Sequence, residues 1–293
     1  MAGEIQTFLT GFSTLSGGTR DKVKNITRAD RPWQVSMKYP EPGKCGLCNK
    51  DDETKYIPGP GWKSFQNAFT PFPYHRILIP DVCWDEEKLR SLGGKETLRT
   101  ALRYARNEIL RTRGNMLPMW IFTHIGYGAG QNFPHHHWHI CEAPTQPKNI
   151  FTRLWHDLVG DVIILTKEAK CILNTSENFI ISLYGRRAGQ VVIFSKRRLS
   201  HYFPIVKASD LLEDKSLRTE LLDETCAVVE LFNRKFNYPD YCLFFGINRE
   251  SEWYVRYTPI LNNWGGSEFA ALDFDTPFVL PWPHEKTLEF LKS

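Results

Sequence analysis

The stretch Gly126-Tyr-Gly-Ala-Gly-Gln-Asn-Phe-Pro-His-His-His-Trp-His-Ile140 constrains the chain more than any other, because four of its nine histidines fall there within five residues. Read as a strand, the run alternates its side chains. His135, His137 and His139 then share one face, while His136 and Trp138 point the other way. Three imidazoles on one face can bind a metal, hold a phosphate, or present a nucleophile with the groups that orient it. The glycines just upstream leave backbone N–H groups free to approach an anion closely. A histidine cluster can also be a surface accident, but the apolar strand before it, Trp120-Ile-Phe-Thr-His-Ile125, argues for a built site. A phosphate-handling site, a metal site, or both are expected.

Composition narrows the setting. A chain of 293 residues can bury a full core, as one large domain or as two similar halves. No apolar run approaches the roughly 18–20 residues needed to span a bilayer, so no membrane partner is expected. The opening Met1-Ala-Gly-Glu-Ile-Gln6 lacks the basic-then-apolar layout of a signal peptide. A net charge of +4 with no Lys/Arg block argues against a nucleic-acid partner, yet suits a small anionic substrate. Seven scattered cysteines, an odd number, argue against a secreted disulfide framework and for cytoplasmic thiols.

Residues 1–25, rich in Thr, Ser and Gly, read as a mobile N-terminal arm. Arg28 and Arg31 follow, beside Pro32 and Trp33, as either an exposed basic pair or a grip on phosphate. Cys45-Gly-Leu-Cys48 offers two thiolates at a spacing that fits one tetrahedral zinc, but it is half a site. His135 and Cys83 are candidates for the rest, since a thiolate-rich site with one imidazole suits zinc. A redox pair would need a strand-to-helix setting that is not evident here. Two unrelated thiols remain an alternative.

The elements come in a repeating cadence. Ser64-Phe-Gln-Asn-Ala-Phe69 alternates aromatic and polar residues, and 75–80 reads as a buried strand. A charged helical start covers 84–92. A helix over 95–113 places Leu98, Leu102, Ala105 and Ile109 on one face, with Gly114 as its stop. The 120–125 strand and the histidine strand close the unit. Strands at 179–184 and 190–195 then precede a helix at about 215–235, with Leu217, Leu221, Val228 and Phe232 on one side. Strands at 241–247 and 253–257 finish the repeat, with Trp253-Tyr-Val-Arg256 standing where the first unit carries histidines. A duplicated α+β unit with one competent site is expected. Its site- and metal-bearing half covers 26–160, and a half without a histidine triad covers 161–293.

Together these motifs resemble the galactose-1-phosphate uridylyltransferase branch of the histidine-triad (HIT) superfamily. In that branch R-A-x-R-P-W-Q precedes C-x-x-C, as Arg28-Ala-Asp-Arg-Pro-Trp-Gln34 precedes Cys45-Gly-Leu-Cys48 here. Phe65-Gln-Asn-Ala-Phe69 is similar to its aromatic-x-Asn-x-Phe segment beside base and ribose. Gly130-Gln-Asn-Phe-Pro-His-His-His137 is similar to its Gly-x-polar-x-Pro-His-x-His signature. Gly266-Ser-Glu268 and Pro283-His-Glu285 look like its sugar-binding Gly-x-Glu and the Pro-Glu helix that follows. The anchors keep the family's order from residue 28 to about 290.

The resemblance implies an α+β, duplicated HIT-like fold, with antiparallel sheets and helices packed on them. It implies nucleotidyl transfer between a nucleoside diphosphate sugar and a sugar phosphate or phosphate, through a covalent nucleotide on His137. His135 would join Cys45 and Cys48 on a structural Zn2+. The family's remaining ligand lies in a Ser-Pro-x-His segment, whose place Pro80-Asp-Val-Cys83 takes, so Cys83 is the expected fourth ligand and His75 the alternative. Arg28, Arg31 and Asn132 would contact phosphate or ribose, and Glu268 a sugar hydroxyl. Phe65, Asn67 and Phe69 would flank the base, and Gly130, Gln131 and His139 would complete the nucleotide site. A homodimer with shared sites is implied.

Besides Cys83, two positions depart from the transferase pattern. Asn132 replaces Ser. His139 stands where that branch carries Gln and where the hydrolase branches usually carry His. Cleavage of a dinucleoside polyphosphate or nucleotide conjugate, by water or by phosphate, is therefore the alternative activity. Some relatives hold a second metal with a Glu and histidines of the C-terminal half. Arg153 and Trp253-Tyr-Val-Arg256 supply no such ligands, so no second metal is expected.

Overall fold

The computed structural model describes residues 5–7, 13–15, 45, 47–49, 61–67, 74–111, 119–131, 135–142, 171–184, 187–196, 214–247, 253–261 and 283–293. Inside the expected N-terminal arm, β1 (Ile5–Thr7) and β2 (Ser13–Leu15) pair antiparallel. The next strands are β3 (Trp62–Gln66) and β4 (Tyr74–Pro80), followed by helices α1 (Glu86–Arg90) and α2 (Lys95–Arg111). Then come β5 (Met119–Ile125), β6 (Trp138–Glu142), β7 (Ile172–Thr175), β8 (Phe179–Leu183) and β9 (Val191–Ser195). Helix α3 (Lys215–Phe236), β10 (Tyr241–Ile247), β11 (Trp253–Pro259) and α4 (His284–Lys292) complete the order. Among the described residues no helix is long and apolar enough to cross a membrane.

Strands β3 to β11 form one antiparallel sheet in the order β3-β4-β6-β5-β10-β11-β9-β8-β7. Read inward from the two ends, β3-β4-β6-β5 and β8-β9-β11-β10 are the same unit, with β7 added at one edge. Each unit places a long helix between its second and third strands, α2 in one and α3 in the other. The central strands β5 and β10 meet in a centred register, Met119 opposite Ile247 and Phe122 opposite Phe244. An approximate two-fold axis therefore passes between Phe122 and Phe244, whose rings lie 6.0 Å apart. The expected boundaries at 25/26 and 160/161 lie outside the described residues.

The pleat sorts the sheet into two faces. One face carries Leu78, Ile121, Trp138, Ile140, Leu243, Val255 and Ile193, all buried in one core with Leu98 and Leu102 of α2 and Leu221 and Phe232 of α3. Each such fully buried Leu or Phe contributes roughly 1.5–3 kcal/mol, and this is what seats the helices. Ala105 and Ile109, expected on the same stripe of α2, have side chains outside the described set. On α3, Asp214 caps the start by accepting from Ser216 N and Leu217 N at 2.7 and 3.1 Å. Asn237, at φ +52°, ends it in the left-handed conformation that stops helices.

The opposite face carries the predicted site residues Phe65 and His139. Phe65, Ile77, His139, Phe122, Phe244 and Arg256 stand opposite one another across successive strands, so all six share it. The histidine run is not strand throughout, as the alternation predicts, because β6 begins only at Trp138. The physical reason is local: the carbonyls of His135 and His137 accept from side chains, Gln131, His137 and Thr123, in place of a neighbouring strand.

Candidate active site and metal centre

The glycine turn after β5 is held from two sides. Gly126 has φ +91°, and its N–H donates to Gln131 Oε1 at 2.8 Å. A Cβ on Gly126 would lie 1.9 Å from Asp240 Oδ1. That carboxylate, just before β10, accepts from Gly128 N at 2.6 Å and pairs with Arg90 at 2.9 Å. The second unit thereby clamps the turn that leads into the histidines. Gln131 is buried, and its amide is spent within the fold, spanning Gly126 N and the His135 carbonyl, 3.3 Å from Nε2.

Cys45, Cys48, Cys83 and His135 come together at the β3–β4 edge of the same face, with their four donor atoms all within 4.8 Å of one another. His135 Nδ1 lies 3.0, 3.4 and 3.2 Å from the sulfurs of Cys45, Cys48 and Cys83. Its Nε2–H donates to the Pro80 carbonyl at 2.9 Å, which leaves the Nδ1 lone pair aimed at the thiols. A turn in which Cys48 N donates to both the Cys45 carbonyl and Cys45 Sγ brings the first two sulfurs together. Phe65, Ile77 and Ile79 pack around them. Burial, and then the adjoining thiols of Cys45 and Cys48, push the Cys83 thiol up to about 12. Three sulfurs so close favour replacement of their protons by a cation. The donor set fits a metal ion bound by four protein ligands, a closed and therefore structural site. Cys83 is the fourth member, and His75, the alternative, lies elsewhere.

Two residues further on, His137 Nδ1 is 2.8 Å from the His135 carbonyl oxygen. A carbonyl only accepts, so the proton sits on Nδ1 and Nε2 keeps its lone pair. Burial lowers the His137 pKa, opposed by the hydrogen bond to His135, and the ring stays neutral near pH 7. A neutral imidazole with a fixed tautomer is what a nitrogen nucleophile requires.

Three further imidazoles share this face. His139 stacks on Phe122 at 4.6 Å and 10° and meets His137 edge-on at 5.0 Å. His75 Nε2 lies 2.8 Å from His139 Nδ1, and His124 Nδ1 lies 3.2 Å from Cys242 Sγ. Burial, and then the neighbouring His137, lower His75 and His124 to about 4, and His139 well below its usual range. His136 takes the opposite direction, as alternation predicts, and is fully buried with its ring stacked on Trp84 at 4.6 Å.

The expected nucleotide contacts are distributed unevenly. His139 shares the face of His137, and Gly130 lies in the turn that leads to it. Phe65 is buried with the thiol cluster, Gln131 is turned inward, and Asn67 points its amide at His75. Arg28, Arg31, Phe69, Asn132 and Glu268 lie outside the described residues. The sequence reading attached no active-site role to His75, His124 or Asp240. The parity of His124 with Phe122 was visible, but the register that joins it to His139 was not.

No protein-family model matches the sequence, and no curated protein matches it. Solved structures do match. A uridylyltransferase superposes with a TM-score of 0.66 at 14% identity, over 98% of this chain and 97% of that one. A GalT-like protein from Arabidopsis thaliana gives 0.61 at 13% identity, over 79% and 83%. An ADP-glucose phosphorylase from Arabidopsis thaliana, solved with ADP-glucose bound, gives 0.59 at 13%, over 79% and 82%. The chain shares the fold of these three structures, here a duplicated α+β unit on one antiparallel sheet.

Proposed function

We propose that this chain is a nucleotidyltransferase that moves a nucleoside monophosphate between a nucleoside diphosphate sugar and a sugar phosphate or phosphate. The observation that carries the reading is the tautomer of His137, whose Nδ1–H donates to the His135 carbonyl at 2.8 Å. Nε2 attacks the nucleotide's phosphorus and the sugar phosphate leaves, giving a covalent His137–nucleotide. The acceptor phosphate then takes the nucleotide and restores the free imidazole. Two displacements at one site give ping-pong kinetics. Negative charge growing on the phosphoryl oxygens needs fixed donors, a role assigned to Arg28, Arg31 and Asn132 by the motifs they occupy. Glu268 would hold a sugar hydroxyl, and Phe69 would flank the base. The likeness in fold to an ADP-glucose phosphorylase and to a uridylyltransferase supports a nucleotide-sugar donor.

The metal at Cys45, Cys48, Cys83 and His135 is assigned as Zn2+, which when bound would tie the three chain segments together and leave no coordination position for substrate. An odd number of scattered cysteines, seven, supports a cytoplasmic location, and the resemblance supports a homodimer. Intact-mass spectrometry after brief incubation with UDP-, ADP- and GDP-sugars tests the reading. An adduct of one nucleoside monophosphate, absent in His137→Gly, is the expected result. Full turnover by His137→Gly would end it.

A further inference from the structure

Asn67, His75 and His139 form a directed chain of hydrogen bonds beside the nucleophile. Asn67 Nδ2 lies 3.2 Å from His75 Nδ1 and 3.5 Å from its Nε2, and His75 Nε2 lies 2.8 Å from His139 Nδ1. An amide nitrogen only donates, so the nearer His75 nitrogen, Nδ1, is the acceptor. A neutral His75 then carries its proton on Nε2 and donates it to His139 Nδ1. His139 in turn carries its own proton on Nε2. Packing fixes the ring as the chain fixes the proton, since His139 lies flat on Phe122 and edge-on to His137.

We infer that Asn67 and His75 are positioning residues that lock His139 as a neutral Nε2–H donor, and that this lock makes the site favour transfer to a phosphate acceptor over hydrolysis. The inference rests on the nucleotidyl-transfer reading of the same site. Water becomes a nucleophile only when a base takes its proton, whereas a phosphate acceptor is already anionic. His139 has no lone pair to offer, because Nδ1 is occupied and Nε2 is protonated. In the intermediate, Nε2 of His137 carries the nucleotide. His124 is turned to the Ala129 carbonyl and to Cys242 Sγ, 3.2 Å away. An Nε2–H can still hydrogen-bond a phosphoryl oxygen, so His139 serves the substrate without serving water.

Two measurements on the full-length protein test this. Long-range proton–nitrogen correlation spectra of histidine-labelled protein should show bare Nδ1 and protonated Nε2 on both His75 and His139, assigned with His75→Phe and His139→Gln. Partition of the nucleotidylated protein between water and phosphate should shift toward water in His75→Phe by about a hundredfold, the low end of what a general base supplies. Gln has no tautomer to lock, so in a His139→Gln background the same His75→Phe change should leave the partition where it was. A His139 proton on Nδ1, or an equal effect of His75→Phe in both backgrounds, would overturn the lock. The assigned tautomers with no transfer from any donor would instead overturn the nucleotidyl-transfer reading, and with it the partition claim.

Discussion

His137 Nδ1 stands 2.8 Å from the carbonyl oxygen of His135, whose own imidazole is in contact with three thiols. One residue thus links the thiol cluster to His137: its side chain joins the first, and its peptide sets the tautomer of the second. Anything that shifts His135 shifts the acceptor that frees the His137 lone pair.

Removal of a metal ligand should therefore lower stability and chemistry together. Wild-type protein should carry about one metal ion per chain, the count of a four-ligand site. Cys45→Ser, which removes the sulfur 3.0 Å from His135 Nδ1, should lose that ion. Its melting temperature should fall by at least about 5 °C, because binding energy at such a site is folding energy. The rate of His137 nucleotidylation should drop at least about tenfold, as outer-shell losses do. A metal-depleted variant that still forms the adduct at the wild-type rate would break the link between the two sites.

Gln131 is predicted to matter without touching substrate. Its amide satisfies Gly126 N at 2.8 Å and reaches the His135 carbonyl at 3.3 Å, both buried bonds. Gln131→Ala leaves a buried N–H unpaired and should cost about 1–3 kcal/mol in urea unfolding. Because His135 O also holds His137, kcat should fall with KM nearly unchanged. A rise in KM alone would return Gln131 to the nucleotide contacts.

The contrast between β10 and the histidine run shows what a sequence can carry. Tyr241–Ile247 has the bounds its apolar pattern predicts, and α3 ends one residue past its predicted last turn, because period-2 and period-3.6 patterns report local burial directly. The run from His135 reads as strand by the same rule, yet its carbonyls are claimed by side chains from Gln131 and Thr123, a competition that spacing does not reveal. The pairing of His75 with His139 depends on the register of β4 against β6, set by residues 64 positions apart in the chain. Strand β7, four residues with Asn174 and Thr175 exposed, has too weak a pattern to announce itself.

Two glycines of one turn should respond differently to the same change. Gly126 and Gly130 both have positive φ, +91° and +86°. A methyl group at Gly130 meets nothing within 4 Å, so Gly130→Ala carries backbone strain alone, about 1–2 kcal/mol. At Gly126 the methyl would lie 1.9 Å from Asp240 Oδ1, a carboxylate held by Arg90 and Gly128 N. Gly126→Ala should cost at least about 2 kcal/mol more than Gly130→Ala in chemical unfolding. Equal losses would mean that Asp240 is free to move and does not clamp the turn.

Acid should weaken the fold through the buried imidazoles, and the sign follows from His75. Burial, and then His137, hold its folded pKa at about 4, against an ordinary value of 6.5. Between those two pH values the unfolded ring is protonated and the folded ring is not. The unfolded state therefore binds more protons, and stability rises with pH across the window. The contribution is complete above about pH 6.5 and is lost as pH falls to about 4, on the order of 3 kcal/mol for His75 alone. His124, lowered to about 4 for the same causes, adds in the same direction. Urea unfolding at intervals from pH 7.5 to 4.5 should show this decline. His75→Gln cannot take up the proton, so its stability against pH should be flatter than wild type by about 1.4 kcal/mol per pH unit near pH 5. Parallel curves for the two proteins would show that His75 does not exchange a proton on unfolding and is not the neutral, buried ring that its bond to His139 requires.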